Sequence, residues 1–501
     1  MAAGQTAAVP SDPLPAPPSD RPGASRAPAL MVQGTSSWAG KSLLTAALCR
    51  AYARRGLRVV PFKAQNMSNN ARVVEGGEIG SAQYLQALAA GVVPSVLHNP
   101  VLLKPEGATR SQVIVLGQVD AALTESPWRG RSGRLWPVVA DAYDRLAADA
   151  ELVMIEGAGS PAEINLAPDD IVNMRVARHA DAAVLLVSDI GRGGAFASLY
   201  GTWALLPAEE RAHFVGFVLN RFLGDASLLE PAPSILRDLT GVPVVGVLPE
   251  LRHHLPDEDG ARRPHAVPGG RRVRAVRGPA ASNLDEWWLL QAATDFRWAS
   301  TPADLADAEL VVLPGSKLAA RDLAWLRSSG MDAAVLAAVA RGVPTIATCG
   351  GLQVLGGAIE DPHGVERPAQ GLGVLPLTTT LAPAKAVRRT VTRFADDLPA
   401  PWAALSGLAA DGYEIRYGGH AARVPGALPA FGSDAGLGFV HGSVLATYVH
   451  GLFERADVVA AVAGRRPTVD LDAAFDELAD AVEEHLPLDD LLAAARRRAA
   501  R

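Results

Sequence analysis

The sequence predicts an α/β protein in two successive parts, each built on a parallel sheet covered by helices. Short, uniformly apolar runs alternate with helical stretches along most of the chain, and such runs suit strands buried on both faces. The first run leads into a glycine-rich loop, Gly34-Thr-Ser-Ser-Trp-Ala-Gly40-Lys41-Ser42. A stretch rich in Pro, Gly, His and charge interrupts the alternation at 251–271, and 501 residues exceed what a single core usually supports.

The elements follow in order. Residues 1–28 hold Pro10, Pro13, Pro15, Pro17, Pro18, Pro22 and Pro28 without apolar periodicity, which predicts a disordered tail. The first domain, 29–250, opens with a strand over 29–33, the glycine-rich loop, a helix over 42–55 and a second strand over 58–62. Apolar runs at 151–155, 182–187, 214–219 and 243–249 supply its remaining strands. After the linker 251–271 the second domain, 272–465, takes strands over 272–276, 309–314, 344–348 and just before His450. Residues 466–501, rich in Ala, Leu and charge, predict a helical tail. No repeat of fixed period is present.

Composition excludes several classes. Apolar residues make up 49% and charged residues 20%, as in an ordinary soluble domain. The net charge of −6 and the lack of a basic stripe with interleaved aromatics predict no nucleic-acid partner. No run of about 18 apolar residues occurs, so no membrane partner is expected. The N-terminus lacks the apolar core of a signal peptide, which predicts a cytoplasmic protein. The two cysteines, Cys49 and Cys349, give neither a disulfide framework nor metal spacing. Cys49 falls on the apolar helix after the loop and reads as a buried core thiol. Nothing in the sequence sets an oligomeric state.

The loop after the first strand reads as a phosphate cradle for ATP, although five residues separate Gly34 from Gly40, one more than the usual pattern. Gly34, Thr35 and Gly40 would bring backbone amides to the phosphates, and the following helix adds a positive end. Lys41 would neutralise the β- and γ-phosphates, and the Ser42 hydroxyl would join a Mg²⁺ shell. Magnesium asks for further hard oxygens near the same strand ends, where open α/β sheets bind ligands. Glu156 and Asp189, each at the end of an apolar run, are candidates, and Glu78 is a third. A solvated loop acid is the alternative reading for each.

Cys349 lies in Val343-Pro-Thr-Ile-Ala-Thr-Cys349-Gly-Gly, a strand-to-helix turn, and His450 lies at a similar strand end far downstream. A free cysteine is only a few per cent thiolate at neutral pH, with a pKa of about 8.5. A helix N-terminus and a histidine base would favour the thiolate nucleophile. The amides of Gly350 and Gly315 are candidates for an oxyanion hole. Together the thiol site and the nucleotide pocket point to one protein that liberates ammonia with a thiol nucleophile and uses it in a nucleoside-triphosphate-driven reaction.

Longer stretches resemble the cobyric acid synthase family, the glutamine-dependent amidases of cobalamin assembly. They are Phe62-Lys-Ala-Gln-Asn-Met-Ser-Asn-Asn70, Asn99-Pro-Val-Leu-Leu-Lys-Pro105 with Ser111-Gln-Val-Ile-Val115, and Glu156-Gly-Ala-Gly-Ser-Pro-Ala-Glu-Ile-Asn165 with Asp189-Ile-Gly-Arg-Gly-Gly194. In the second half Leu313-Pro-Gly-Ser-Lys317, Asp411-Gly-Tyr-Glu-Ile415 and Tyr448-Val-His-Gly451 match as well. The likeness runs from Met31 to about Glu454.

The resemblance implies a dethiobiotin-synthetase-like P-loop domain followed by a class I-type glutaminase domain. It implies ATP-dependent amidation, with glutamine as nitrogen donor, of the b, d, e and g carboxylates of adenosylcobyrinic acid a,c-diamide. The family's nucleophile falls on Cys349 and its histidine on His450. An acyl phosphate intermediate is expected, with Lys63 neutralising substrate carboxylate or phosphate and Asn66 contacting nucleotide or corrinoid. Ammonia must then travel through a channel or a closed interface.

Some positions depart from the family pattern. Trp38 stands where the phosphate loop usually has a small residue, Gly191 replaces an Asp, Leu352 a Tyr and Arg416 a His. The glutaminase His-x-Glu pair is absent, so a Cys–His dyad is expected, with Glu454 the alternative partner for the imidazole. The competing readings are cobyrinic acid a,c-diamide synthase, a cell-wall muropeptide amidase and a non-catalytic P-loop ATP switch. The Lys63–Asn70 stretch argues against the first, and the intact Cys349 and His450 against the last.

Overall fold

The computed structural model describes residues 26–501 apart from 108, 252, 254, 257–266 and 420–425. The tail expectation for 1–25 and most of the linker expectation therefore lie outside the described residues.

The first domain forms a sheet of six parallel strands whose three central ones are buried along their whole length. Strand β1 (Ala29–Gly34) lies between Ala183–Asp189 and Leu152–Glu156; β2 (Val59–Phe62) closes one edge, and Phe214–Phe222 and Val244–Pro249 extend the other. Helix α1 (Lys41–Arg54) starts at Gly40, whose φ of +98° suits glycine, and a Cβ there would collide with Asn220. Its Ala- and Leu-rich sequence favours helix, and Arg54 in the last turn complements the dipole. The phosphate loop thus joins the carboxyl end of the central strand to α1, as the sequence pattern predicts.

Between α1 and the linker the chain also builds a smaller arm that apolar-run reading missed. It comprises β3 (Gln65–Met67), the antiparallel hairpin of β4 (Ala71–Val74) and β5 (Gly77–Gly80), and α2 (Ser81–Ala89). Strand β3 pairs with Val101–Pro105 in a four-stranded side sheet, and β4 packs against the second domain's strands Thr378–Thr390 and Gly412–Gly419.

The second domain has a seven-stranded sheet in the order Asp295–Ala299, Arg272–Val276, Leu310–Leu313, Thr345–Thr348, Val444–Thr447, Gly438–His441, Leu428–Pro429. The first five are parallel and the last two antiparallel. Among the described residues no single helix is long and apolar enough to cross a membrane. The bent pair Ala319–Ser329 and Met331–Ala340, which matches such a span only by length and composition, packs its apolar face on this sheet through Leu323, Leu326 and Val335.

The C-terminal helices, Leu471–His485 and Leu488–Ala499, return to the first domain. Phe475, Leu478, Val482 and Leu491 join one core with Leu30, Val32, Leu48 and Tyr52. The Tyr52 hydroxyl donates to Leu488 O at 2.8 Å, and Arg50 pairs with Asp476 at 2.8 Å. Phe475 is 1% exposed, so Phe475→Ala leaves a cavity and should cost about 3–5 kcal/mol. Denaturant unfolding checks this; an unchanged midpoint would show that these helices add nothing to the core.

Candidate active sites

The phosphate loop folds over a cavity of about 590 Å³ lined by Gly40, Lys41, Ser42, Lys63, Asn66 and Glu156, with Trp38 at its rim. Trp38 has a φ of +67° and is 46% exposed, so the departure from a small residue covers the loop without entering the core. A Cβ on Gly34 would press on Lys41 Nζ at 2.9 Å, so this glycine makes room for the lysine. Lys41 Nζ donates to Ser36 O at 2.9 Å and Gly159 O at 3.0 Å, bent over the loop. Thr35 is tied to the neighbouring strand, its amide to Val187 O at 2.9 Å and its hydroxyl to Ser188 at 3.0 Å.

Glu156 is fully buried at the end of its strand, where Ser42 Oγ and Lys63 Nζ each donate to Oε1 at 2.8 Å. Gln86 and Gln83 donate to Oε2 at 2.6 and 3.3 Å. Burial opposes its charge, but the Lys63 cation and these hydrogen bonds prevail and hold its pKa below the ordinary carboxylate range. Ser42 and Glu156 therefore present hard oxygens side by side in a glycine cradle, the donor set that Mg²⁺ with a nucleotide requires. Asn66 joins this cluster through Gln83, donating to its Oε1 at 3.0 Å.

The other two acidic candidates stand differently. Asp189 ends its strand as expected, but its carboxylate pairs with Arg221 at 2.8 Å and Arg192 at 3.2 Å and accepts the Gly191 amide. Glu78 is buried against Lys104 at 2.5 Å and against Lys385 of the second domain, away from Ser42. Burial raises its pKa, but the two lysines outweigh that and lower it to about 2. The structure thus gathers Ser42, Lys63 and Glu156, leaves Asp189 among arginines, and moves Glu78 to the domain interface.

Cys349 follows the strand Thr345–Thr348 and precedes the short helix Gly350–Leu355, with φ +48° and ψ −104°. A non-glycine residue held at positive φ is strained, and such an elbow lifts a nucleophile clear of its strand. Glycine is required next to it, because a Cβ on Gly350 would lie 2.5 Å from Ser316 Cβ. A Cβ on Gly315 would lie 3.0 Å from His450 Cε1. Gly315 therefore packs against His450 and Gly350 against Ser316, and Ser316, Cys349 and His450 line a cavity of about 320 Å³. Both domains wall this cavity, the first contributing Asn69, Lys104 and Gln112.

The imidazole has a third partner. His450 Nδ1 meets Glu286 Oε1 at 3.1 Å, and Glu286 Oε2 accepts the Gly451 amide at 2.9 Å. The expected Cys–His dyad is therefore a Cys349–His450–Glu286 arrangement, and Glu454 is not the orienting acid: it pairs with Arg72 at 2.6 Å. Sequence spacing gave no sign of Glu286, which lies 164 positions before His450. The acid is fully buried beside Trp287, which stacks on Phe453 at 4.6 Å, and that burial shows only in the fold. Burial opposes the imidazolium, but the Glu286 charge and hydrogen bonds with Cys349 and Glu286 prevail and push the His450 pKa up to about 10. A cationic imidazole beside the sulfur is placed to give a proton to a departing group.

Cys49, by contrast, is fully buried, and burial pushes its thiol well up. It is the core thiol its helix predicts.

The fold and the two sites define a class: a P-loop nucleotide-binding domain fused to a cysteine glutaminase domain. Residues 30–257 match the CobQ/CobB/MinD/ParA nucleotide binding domain, and residues 272–458 the CobB/CobQ-like glutamine amidotransferase domain. The chain is 57% identical over 478 residues to cobyric acid synthase of Paracidovorax citrulli (strain AAC00-1), covering 91% of this chain and 96% of that one. It is 55% identical to cobyric acid synthase of Variovorax paradoxus (strain S110), covering 91% and 97%. The chain belongs to the cobyric acid synthase family.

Removing the Glu286 charge takes away the main force raising the His450 pKa. Glu286→Gln should therefore let His450 lose its proton at lower pH and slow glutamine hydrolysis on the order of 10²-fold. Titration of the His450 ring followed by NMR measures the first effect; an unmoved midpoint would leave Glu286 without that role.

Proposed function

We infer that this chain is a glutamine-hydrolysing, ATP-dependent ligase that forms amides on corrinoid carboxylates in cobalamin biosynthesis. In the finer reading its substrate is adenosylcobyrinic acid a,c-diamide, amidated at b, d, e and g. The observation that carries the reading is the pairing, in one chain, of the Cys349–His450–Glu286 site with the Lys41–Ser42–Glu156 site. The family's relatives support the substrate class, and the Lys63–Asn70 stretch favours this amidation over that of the a and c carboxylates. A cytoplasmic setting suits a working thiol.

At the glutaminase site the Cys349 thiolate attacks the glutamine side-chain carbonyl. The amides of Gly315 and Gly350 receive the developing oxyanion, each donor worth about 3 kcal/mol. His450 gives its proton to the departing nitrogen as the carbon–nitrogen bond breaks, releasing ammonia and leaving a thioester. The same imidazole then takes a proton from water, which displaces sulfur and frees glutamate. Glu286 holds Nδ1, so Nε2 is left for these transfers.

At the other site a carboxylate must become an electrophile. Bound ATP with Mg²⁺ supplies the phosphoryl group and the charge neutralisation that activate it as an acyl phosphate. Ser42 and Glu156 would hold the metal, with Asp189 the weaker candidate given its arginine partners; Glu78, held by Lys104 and Lys385 at the domain interface, is not part of this set. Gly34, Gly40 and Lys41 would hold the phosphates, with Thr35, bonded through its amide and hydroxyl to the neighbouring strand, anchoring the loop. Lys63, already beside Glu156, neutralises the substrate carboxylate, and Asn66 orients it. Ammonia freed at Cys349 enters a cavity partly walled by the synthetase domain, which limits its protonation by bulk water.

With the corrinoid, ATP and Mg²⁺, Cys349→Ala should form amide from ammonia but not from glutamine, whereas Lys41→Ala should fail with both. Product masses measure this. Glutamine-dependent synthesis by Cys349→Ala at the wild-type rate would remove the thiol mechanism.

A further inference from the structure

The arm of β4, β5 and α2 lies between the two sites and touches both. Arg72, on β4, is 4% exposed and reaches into the second domain. Its guanidinium lies 2.6 Å from Asp285, 2.6 Å from Glu454 and 2.9 Å from the Tyr413 hydroxyl. Each of these partners borders the glutaminase base. Asp285 immediately precedes Glu286, the acid on His450. Tyr413 stacks on the His450 ring at 5.5 Å and exchanges two backbone hydrogen bonds with it, at 2.8 and 3.1 Å. Glu454 lies in the short helix that follows His450.

The same guanidinium donates to Ser81 Oγ at 3.3 Å, the first residue of α2. Backbone bonds pin the junction: Asn283 Oδ1 accepts the Ala71 amide at 3.2 Å, and Asn70 Oδ1 accepts the Leu284 amide at 3.0 Å. One turn further along, α2 carries Gln83 and Gln86, which hold Glu156 beside Ser42 and Lys63. A helix moves as a unit, so a ligand that redirects Glu156 also acts on the end of α2 that holds Arg72.

We propose that Arg72 is a positioning residue through which occupancy of the nucleotide site sets the placement of Glu286 and His450, and so the reactivity of Cys349. The proposal rests on the reading of the two sites as synthetase and glutaminase. An arginine suits the task, since its planar fork meets several partners at fixed angles, which a lysine cannot do. An ion pair serving only to dock the domains would hold them together without altering the thiol.

The test uses the full-length protein without corrinoid. The rate of Cys349 alkylation by iodoacetamide and the rate of glutamine hydrolysis are measured with and without Mg²⁺ and a non-hydrolysable ATP analogue. In the wild type the nucleotide should change both rates by about 5- to 150-fold, the usual span of coupling between sites. Arg72→Lys and Arg72→Gln should lose that response while still making amide from ammonia, ATP and corrinoid. A wild type indifferent to the nucleotide, or variants that respond as wild type does, would overturn the proposal. So would loss of ammonia-dependent synthesis in both variants, which would make Arg72 structural. Failure of the wild type itself to make amide from ammonia would instead sink the functional reading.

Discussion

A carboxylate taken out of water needs a cation or a set of donors beside it, and this molecule places its chemistry where that need is met. Leaving a buried charge without its partner costs several kcal/mol, so each partner is fixed by the fold. Glu156 is held by Lys63 and three side-chain donors, Glu286 by His450, and Asp285 and Glu454 by Arg72. Glu78 at the interface is held by Lys104 from one domain and Lys385 from the other. The last two clusters bind the halves of the enzyme to each other, so the relative placement of the two active sites follows from charge compensation as well as from packing.

The parallel sheets were legible because strands buried on both faces are apolar throughout. Ala29–Gly34, Leu152–Glu156, Phe214–Phe222 and Thr345–Thr348 fall where the apolar runs do, within a few residues at the ends. The arm was not legible for the opposite reason. Gln65–Met67 is polar, and Ala71–Val74 carries Arg72 inward, so neither shows an apolar run or a period. Its order comes from partners distant in sequence: Val101–Pro105, the second domain and α2. The helices after 470 were readable as helices, but their return to the first domain depends on contacts such as Phe475 with α1, which no local pattern encodes.

The sites divide in the same way. Lys41, Ser42, Cys349 and His450 sit in short motifs that chemistry forces into a fixed spacing, and the structure brings each group together. Glu286 lacks such a motif, because a short helix elsewhere in the domain can supply an orienting acid as well as a residue after the histidine can. Glu78 misled for a related reason: an acid in a stretch otherwise rich in site residues reads like a ligand until its two lysines are seen. Glu454, next in line after His450, is drawn off by Arg72.

The central claim is that ammonia made at Cys349 is consumed at the nucleotide site without joining the solvent pool. The most direct measurement supplies wild-type enzyme with glutamine labelled with ¹⁵N in the side-chain amide, in a large excess of unlabelled ammonium, and weighs the amidated corrinoid. The account predicts that the product carries ¹⁵N. A product labelled only to the level of the bulk ammonium pool would contradict it.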